Sequence, residues 1–315
     1  MRIVLLDAFL ADQGGRDPWP GLDRLGTVVR HDRTRPEQTA ERLQGAQVAI
    51  SNKVAIDRAV LAAGADVRHV AVTATGVNIV DLAACREAGV SVSNVPAYST
   101  DSVAQQVFAY ILDDACAVAA HSPRVHAGEW NRCEDFAFLA RPTWELSGKR
   151  LAIIGHGTIG RAVATIATAF GMPVDVVQLP WRPPVPGRVP LAEALPRADI
   201  ITLHCPLTEE TEALVGGDFL DACRDDVLLI NTGRGALIDE ARLAVWLRAH
   251  PRARAALDVL ASEPPPAGHP LLGHDQVRIT PHTAWATIEA RARLRAVVVD
   301  NVTACIEGRD ANRVA

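Results

Sequence analysis

The chain has 315 residues, 49% of them apolar and 22% charged, enough for two globular domains with packed cores. A formal net charge of -5 gives no broad basic surface, so nucleic acid is not an expected partner and an anionic substrate needs locally placed Arg or Lys. Cys85, Cys116, Cys133, Cys205, Cys223 and Cys305 form no C-x-x-C pair, and no apolar run suits a signal peptide or a membrane span, so a reduced cytoplasmic protein is expected, with four of the cysteines as core thiols.

Through the first hundred residues, short apolar runs alternate with helical segments. Ile3–Leu6, Val48–Ser51, Val70–Ala74 and Val90–Ser93 read as strands; Gln38–Leu43, Asp57–Ala63 and Val80–Ala88 read as helices, the last stopped by Gly89. Such alternation predicts a doubly wound parallel sheet. No glycine fingerprint follows the first strand, where Asp7-Ala8-Phe9-Leu10 stands, so this half is not the nucleotide site. The loop Thr73–Asn78 follows a strand with small residues whose free N–H groups can hold a carboxylate, although an ordinary strand-to-helix turn reads the same. Lys53 puts a cation at the same sheet edge, where a solvated loop charge is the alternative.

Ser99, Thr100 and Asp101 are N-cap candidates for a long helix over Val103–Ala119. Residues 121–148 have no clean period and carry Trp130, Phe136, Phe138 and Trp144, which predicts an arm packing on a second subunit.

The stretch Arg150–Gly171 then brings a strand (Leu151–Ile154), the turn Gly155-His156-Gly157-Thr158-Ile159-Gly160, and a helix with Ile159, Val163, Ile166 and Phe170 on one stripe. This is the order of a dinucleotide fingerprint: one glycine for the tight turn, one for approach of the pyrophosphate, one for close helix–strand packing. The helix N-terminus offers free N–H groups to the phosphates. Five further strand candidates follow, Val174–Leu179, Ile200–His204, Val227–Ile230, Ala255–Val259 and Val277–Thr280. Six strands suit a dinucleotide fold of order 3-2-1-4-5-6, in which ligands bind beyond the carboxyl ends of the strands.

At those ends stand Arg234, Glu263 and His282, each unremarkable alone. Together they suit reduction of a 2-oxo acid. An arginine forks onto the carboxylate and polarises the carbonyl, a histidine supplies the proton as hydride arrives, and a carboxylate orients and charges the imidazole. No His/Cys/Asp cluster has metal-ligand spacing.

With these residues, and with Ala74-Thr75-Gly76, Asp81, Ser102-Val103-Ala104, Pro206-Leu207-Thr208, Asp258–Pro264 and Pro281-His282, the chain resembles the D-isomer-specific 2-hydroxyacid dehydrogenases over nearly its whole length. Tyr98–Gln105 and Pro281–Ala286 look most like the glycerate dehydrogenase (hydroxypyruvate reductase) branch. The resemblance implies an α/β fold of two doubly wound parallel-sheet domains: a Rossmann-type nucleotide domain (101–285) inserted into a flavodoxin-like, discontinuous substrate domain (1–100 and 286–315). Hinges would fall near 97–101 and 283–287, with the cleft closing on substrate. It implies a homodimer that uses NAD or NADP on a small 2-oxo or 2-hydroxy acid, hydroxypyruvate or glyoxylate favoured, with no membrane partner. His282 would be acid and base, Glu263 its partner, and Arg234 the substrate anchor, while the Thr75 and Gly76 amides take the carboxylate and Lys53 and Trp285 tune side-chain selectivity. Thr158, Ile159 and the three glycines would lie along the pyrophosphate, and Cys205 and Pro206 against the adenine. Thr211, Thr232, Gly233, Asp258 and Ala284, together with Gln178, Arg234 and His282, complete the implied cofactor set, with Asp258 at the nicotinamide carboxamide and Thr232 and Arg234 along the nicotinamide side. A bulkier 2-oxo acid, or a non-catalytic NAD(H)-sensing protein of the same fold, is the alternative.

One position departs from the family. Relatives usually end the second nucleotide strand with an acid for the ribose diol, about 20 residues beyond the glycines. Here Gln178 holds that place, Asp175 lies three residues early, and Arg182 stands nearby in a Pro-rich run, Pro180–Pro190. An uncharged Gln does not repel a 2′-phosphate, so NADP is an expectation alongside NAD.

Overall fold

A computed structural model describes residues 1–64 and 66–315, and the chain divides into one unit of Met1–Ser99 with Ala286–Ala315 and another of Thr100–Trp285. In the first unit the strands are β1 (Arg2–Leu5), β2 (Thr27–Arg30), β3 (Val48–Ser51), β4 (His69–Val72) and β5 (Ser91–Ser93). They form one parallel sheet in the order β2-β1-β3-β4-β5, the 2-1-3-4-5 order of flavodoxin-like sheets. β3 and β4 are buried at every residue, as parallel strands covered on both faces must be. The edge strand β2 has no counterpart among the sequence-predicted strands; its residues are half-exposed or exposed, so it lacks the apolar run that marks the others.

Caps decide where the helices start. Asp57 accepts from Val60 N at 2.9 Å and Asp81 from Ala84 N at 2.8 Å, opening Arg58–Ala63 and Leu82–Glu87. The helix Ile288–Ile306 belongs to this unit although it comes last in the chain. Its Arg295, 6% exposed, donates to Ala11 O (2.6 Å) and Pro18 O (2.9 Å), and Arg291 pairs with Asp17 at 3.1 Å.

The second unit holds β6 (Leu151–Ile154), β7 (Val174–Gln178), β8 (Val189–Pro190), β9 (Ile200–Leu203), β10 (Leu228–Asn231), β11 (Arg254–Leu257) and β12 (Val277–Ile279). The order is β12-β11-β10-β9-β6-β7-β8, parallel throughout. The count expected from sequence was six, and the structure corrects it to seven. β8, two residues long, takes the outer place beyond β7, so the third strand read from sequence, β9, lies beside β6 instead. Pro190 cannot donate to a ladder, which confines this strand to an edge.

The long helix runs Thr100–Cys116, then bends by 59° into Val118–His126. Residues 121–148, read from sequence as irregular, therefore open with a helical turn that carries Pro123 inside it. Among the described residues no single helix is long and apolar enough to cross a membrane. All six cysteines are free thiols; only Cys85 and Cys205 are buried, so the expectation of four core thiols is corrected to two.

β4 buries a histidine. His69 is 4% exposed, and its ring nitrogens lie 2.8 Å from Ser91 Oγ and 3.0 Å from Ser93 Oγ. Burial, and then the charge of Arg313, push its pKa from 6.5 down to about 4. The unfolded chain thus binds more protons than the native one between those values. Stability is full above the upper value, declines as pH falls through the window, and levels off below the lower one, a loss of about 3 kcal/mol. Urea midpoints measured at pH 7.5 and 4.5 should differ accordingly, and His69→Gln should flatten the difference; an unchanged wild-type midpoint would contradict this account.

Candidate active site

The glycine turn lies where the strand order of the second sheet reverses, between β6 and β9. Gly155 has φ +99°, and a Cβ on it would lie 2.4 Å from the His204 carbonyl carbon and from Cys205 N. A Cβ on Gly160 would meet Gly155 O at 2.2 Å. These two glycines let backbone pack on backbone. Gly157 differs: a Cβ there would meet nothing within 4 Å, so the space over it is open. Gly157 is also the N-cap of the helix Thr158–Ala169 and gives it no side-chain cap, which leaves the first-turn N–H groups for a ligand. Just after β10, Thr232 Oγ1 is buried without a hydrogen-bond partner among the described residues. An open cradle, uncapped amides and an orphaned hydroxyl fit a dinucleotide.

The loop after β9 is tied internally. Thr211, 1% exposed, donates to Pro206 O at 2.7 Å and accepts from Thr208 N at 2.7 Å. Its hydroxyl thus shapes the loop that carries Cys205 and Pro206. Burial pushes the Cys205 thiol up to about 11, so it stays neutral.

Three strand ends carry Arg234, Glu263 and His282. After β10, the side chain of Asn231 closes an Asx turn: Oδ1 accepts from Gly233 N (3.0 Å) and Nδ2 donates to Arg234 O (2.8 Å). Arg234 projects from this turn, exposed, and forms no ion pair among the described residues. Gly235 has no room for a side chain at all, since a Cβ would lie 1.9 Å from the Leu260 carbonyl carbon and 2.2 Å from Ala261 N. The Arg234 turn is thereby pressed against the loop after β11, three residues from Glu263.

Glu263 Oε1 accepts from Leu260 N at 3.1 Å, and Oε2 lies 2.6 Å from His282 Nδ1. With Nδ1 engaged by a carboxylate, Nε2 is the nitrogen left to exchange a proton with a ligand. The imidazole remains 28% exposed. His282 has φ +54°, a left-handed conformation uncommon for a residue with a Cβ. Asp258 holds it there. It is 1% exposed; its carboxylate accepts from Thr280 Oγ1 and from the backbone N–H groups of Thr283 and Ala284 (2.9 Å each), while its own carbonyl accepts from His282 N at 2.8 Å. Three of the roughly four acceptor directions of this carboxylate serve its own chain. Sequence marks Asp258 as an acid at a strand end but carries no signal of this anchoring task; for Asn231, the Asn-x-Gly spacing was the available signal.

Lys53, Thr75 and Gly76 belong to the other unit, at the carboxyl ends of β3 and β4. Asp7, which sequence reasoning did not single out, organises that edge by accepting from Asn52 N (2.8 Å) and Lys53 N (2.6 Å). Asn52 donates on to Thr73 O at 2.7 Å, and Thr75 Oγ1 donates to Val95 O at 2.8 Å. Trp285, half-buried, closes the second unit.

Comparison with known proteins gives the family. The NAD binding domain of the D-isomer specific 2-hydroxyacid dehydrogenases matches residues 108–284. A hydroxypyruvate reductase of Blautia hydrogenotrophica is 38% identical over 100% of this chain and 99% of its own length. A glycerate dehydrogenase of Methylorubrum extorquens is 37% identical over 89% of this chain and 88% of its own. Among solved structures, the TT0316 protein of Thermus thermophilus superposes with a TM-score of 0.87 at 33% identity, covering both chains completely. Fold, site and comparisons converge: the chain belongs to the D-isomer-specific 2-hydroxyacid dehydrogenase family.

Proposed function

We propose that this protein reduces a small 2-oxo acid, hydroxypyruvate or glyoxylate, to the D-2-hydroxy acid, and runs the reaction in reverse when the product is in excess. The observation that carries this is the His282–Glu263 pair at 2.6 Å, with the exposed Arg234, free of ion pairs among the described residues, on a turn packed against the Glu263 loop. Membership of the family, and relatives named hydroxypyruvate reductase and glycerate dehydrogenase, support the substrate class.

Each group has a task that its placement allows. Arg234 forks onto the substrate carboxylate and draws electron density from the neighbouring carbonyl oxygen. Within the first unit, the Thr75 and Gly76 amides are donors suited to a carboxylate and Lys53 is a cation at the same sheet edge; within the second, Trp285 is the residue proposed to bear on the substrate side chain. When bound, the nicotinamide cofactor supplies hydride to the carbonyl carbon. The oxygen then takes a proton from His282 Nε2, leaving an alcohol and a neutral imidazole whose Nδ1–H stays on Glu263. The positive φ of His282 and the Asp258 bonds hold the ring ready for that transfer.

We also propose a homodimer in the cytosol. Its support is the arm after the bent helix, where Phe136 is 93%, Leu139 73% and Trp130 51% exposed, more apolar surface than single scattered residues explain. The free thiols suit a reducing compartment.

Three outcomes test these readings. His282→Ala should lower kcat/KM for hydroxypyruvate by about 10²- to 10⁴-fold with Tm little changed. A wild-type protein that binds cofactor but turns over neither hydroxypyruvate nor glyoxylate would instead favour a sensor. Gly235→Ala should push the Arg234 turn off Leu260, lower Tm and cost about 10²-fold in kcat/KM of the protein that remains folded; full activity would mean that this contact does not set the site. Phe136→Asp should convert the protein to a monomer in light scattering, and an unaltered mass would remove the arm from the interface.

A further inference from the structure

The loop that carries Glu263 runs over the surface. From Ala261 to Gly268 no residue is buried, and a segment with few buried apolar contacts opens easily. Glu263 nevertheless lies 2.6 Å from His282 Nδ1. A polar staple, not packing, holds the loop at that distance.

One carboxylate closes the loop at both ends. Glu240 Oε1 accepts from Ala261 N at 2.8 Å, and Oε2 lies 2.9 Å from His269 Nε2. His269 is buried, and its Nδ1 accepts from Leu271 N at 3.3 Å. A ring nitrogen that accepts from a backbone N–H carries no proton, so this imidazole is the Nε2–H tautomer and donates to Glu240. Leu271, 1% exposed, seats the far end of the loop in the core of the second unit. The near end meets a further constraint at the same peptide group. A Cβ on Gly235 would lie 2.2 Å from Ala261 N, so the Arg234 turn rests against the peptide whose N–H Glu240 takes. The preceding N–H, of Leu260, goes to Glu263 itself at 3.1 Å.

The helix that begins at Glu240 does not need this side chain as a cap. Glu240 is the first residue of Glu240–Ala249, and Asp239 is the N-cap, accepting from Arg242 N at 3.0 Å. An acid in a first helical turn is favoured by the dipole. Both oxygens of Glu240 are instead turned onto the loop, through hydrogen bonds that its charge strengthens.

We propose that Glu240, with His269 as its second partner, is a positioning residue: it acts through the loop Ala261–His269 to hold Glu263 on His282. This rests on the reading of His282 and Glu263 as the proton-transfer pair, and it adds a residue that works at one remove from the proton. Arg234 keeps its own Asx turn on Asn231, so loss of the staple falls on the proton-transfer pair and not on the substrate anchor.

Steady-state kinetics with hydroxypyruvate, and amide exchange of the full chain followed by mass spectrometry, test this together. Glu240→Ala should lower kcat about tenfold to a hundredfold with KM within about twofold of wild type. In the same variant, exchange in the peptides covering Leu260–His269 should speed up about tenfold. His269→Ala should lose part of that kcat, and His269→Gln, which keeps an N–H donor for Oε2, should recover it; this pair carries the test if Glu240→Ala does not fold. Wild-type kcat in Glu240→Ala overturns the proposal whatever happens to Tm. So does a loss confined to KM, a lowered kcat without faster exchange in the loop, or a His269→Gln protein no better than His269→Ala. Wild-type protein inactive on both hydroxypyruvate and glyoxylate overturns the reading of the site instead, and exchange then decides the staple alone.

Discussion

Backbone laid directly on backbone sets the geometry of the nucleotide-binding unit. At Gly155, Gly160 and Gly235 a single added carbon would come within 2.4 Å of a neighbouring main-chain atom. Each contact joins segments that side chains would hold apart: turn to the loop after β9, helix to turn, and the Arg234 turn to the loop after β11. These loops owe their proximity to that missing volume. The side chains of Arg234 and Glu263 inherit their spacing from the main chain, which is stiffer than any rotamer.

A second layer of order comes from acids that spend most of their acceptor capacity on their own chain. Asp258 gathers four groups of the 280–284 segment and fixes a left-handed histidine; Asp7 does the same, more simply, for the Lys53 loop. Glu263 divides its two oxygens between its own loop and His282. Burial raises the pKa of Asp7, and the backbone N–H groups of Asn52, Lys53 and Val54 oppose that rise. Carboxylates bonded in this way to their own backbone hold loops firmly because an unmatched bond would be costly.

The fold is legible in the sequence wherever a strand buries both faces. β3, β4, β6 and β9 are apolar runs whose ends the sequence marks to within a residue or two. β2 and β8 are not legible, because a half-exposed edge strand carries little apolar signal and a two-residue strand ending in proline carries none. The glycine turn, Arg234, Glu263 and His282 stand out because each lies just beyond the carboxyl end of a strand, where an open parallel sheet binds its ligands. The backbone conformation of His282 and the bonds of Asp258 leave no such mark, since they arise from contacts between segments that meet only in the folded chain. Gln178 falls between: sequence shows that the acid is missing, and only the structure shows the glutamine amide bonded to the loop that follows, at Leu179 O, Arg182 O and Val185 N.

The first unit is assembled from the two ends of the chain, and this orders events during synthesis. Its β4 packs against the helix Ile288–Ile306, and Arg291 and Arg295 reach back to Asp17, Ala11 and Pro18. Until those residues leave the ribosome, β4 has one face without its cover. The second unit needs nothing beyond Trp285 and is complete first. The first unit therefore finishes after the second, its apolar strands waiting on residues 286–315, and the interval between is when the nascent chain is most exposed to misassociation.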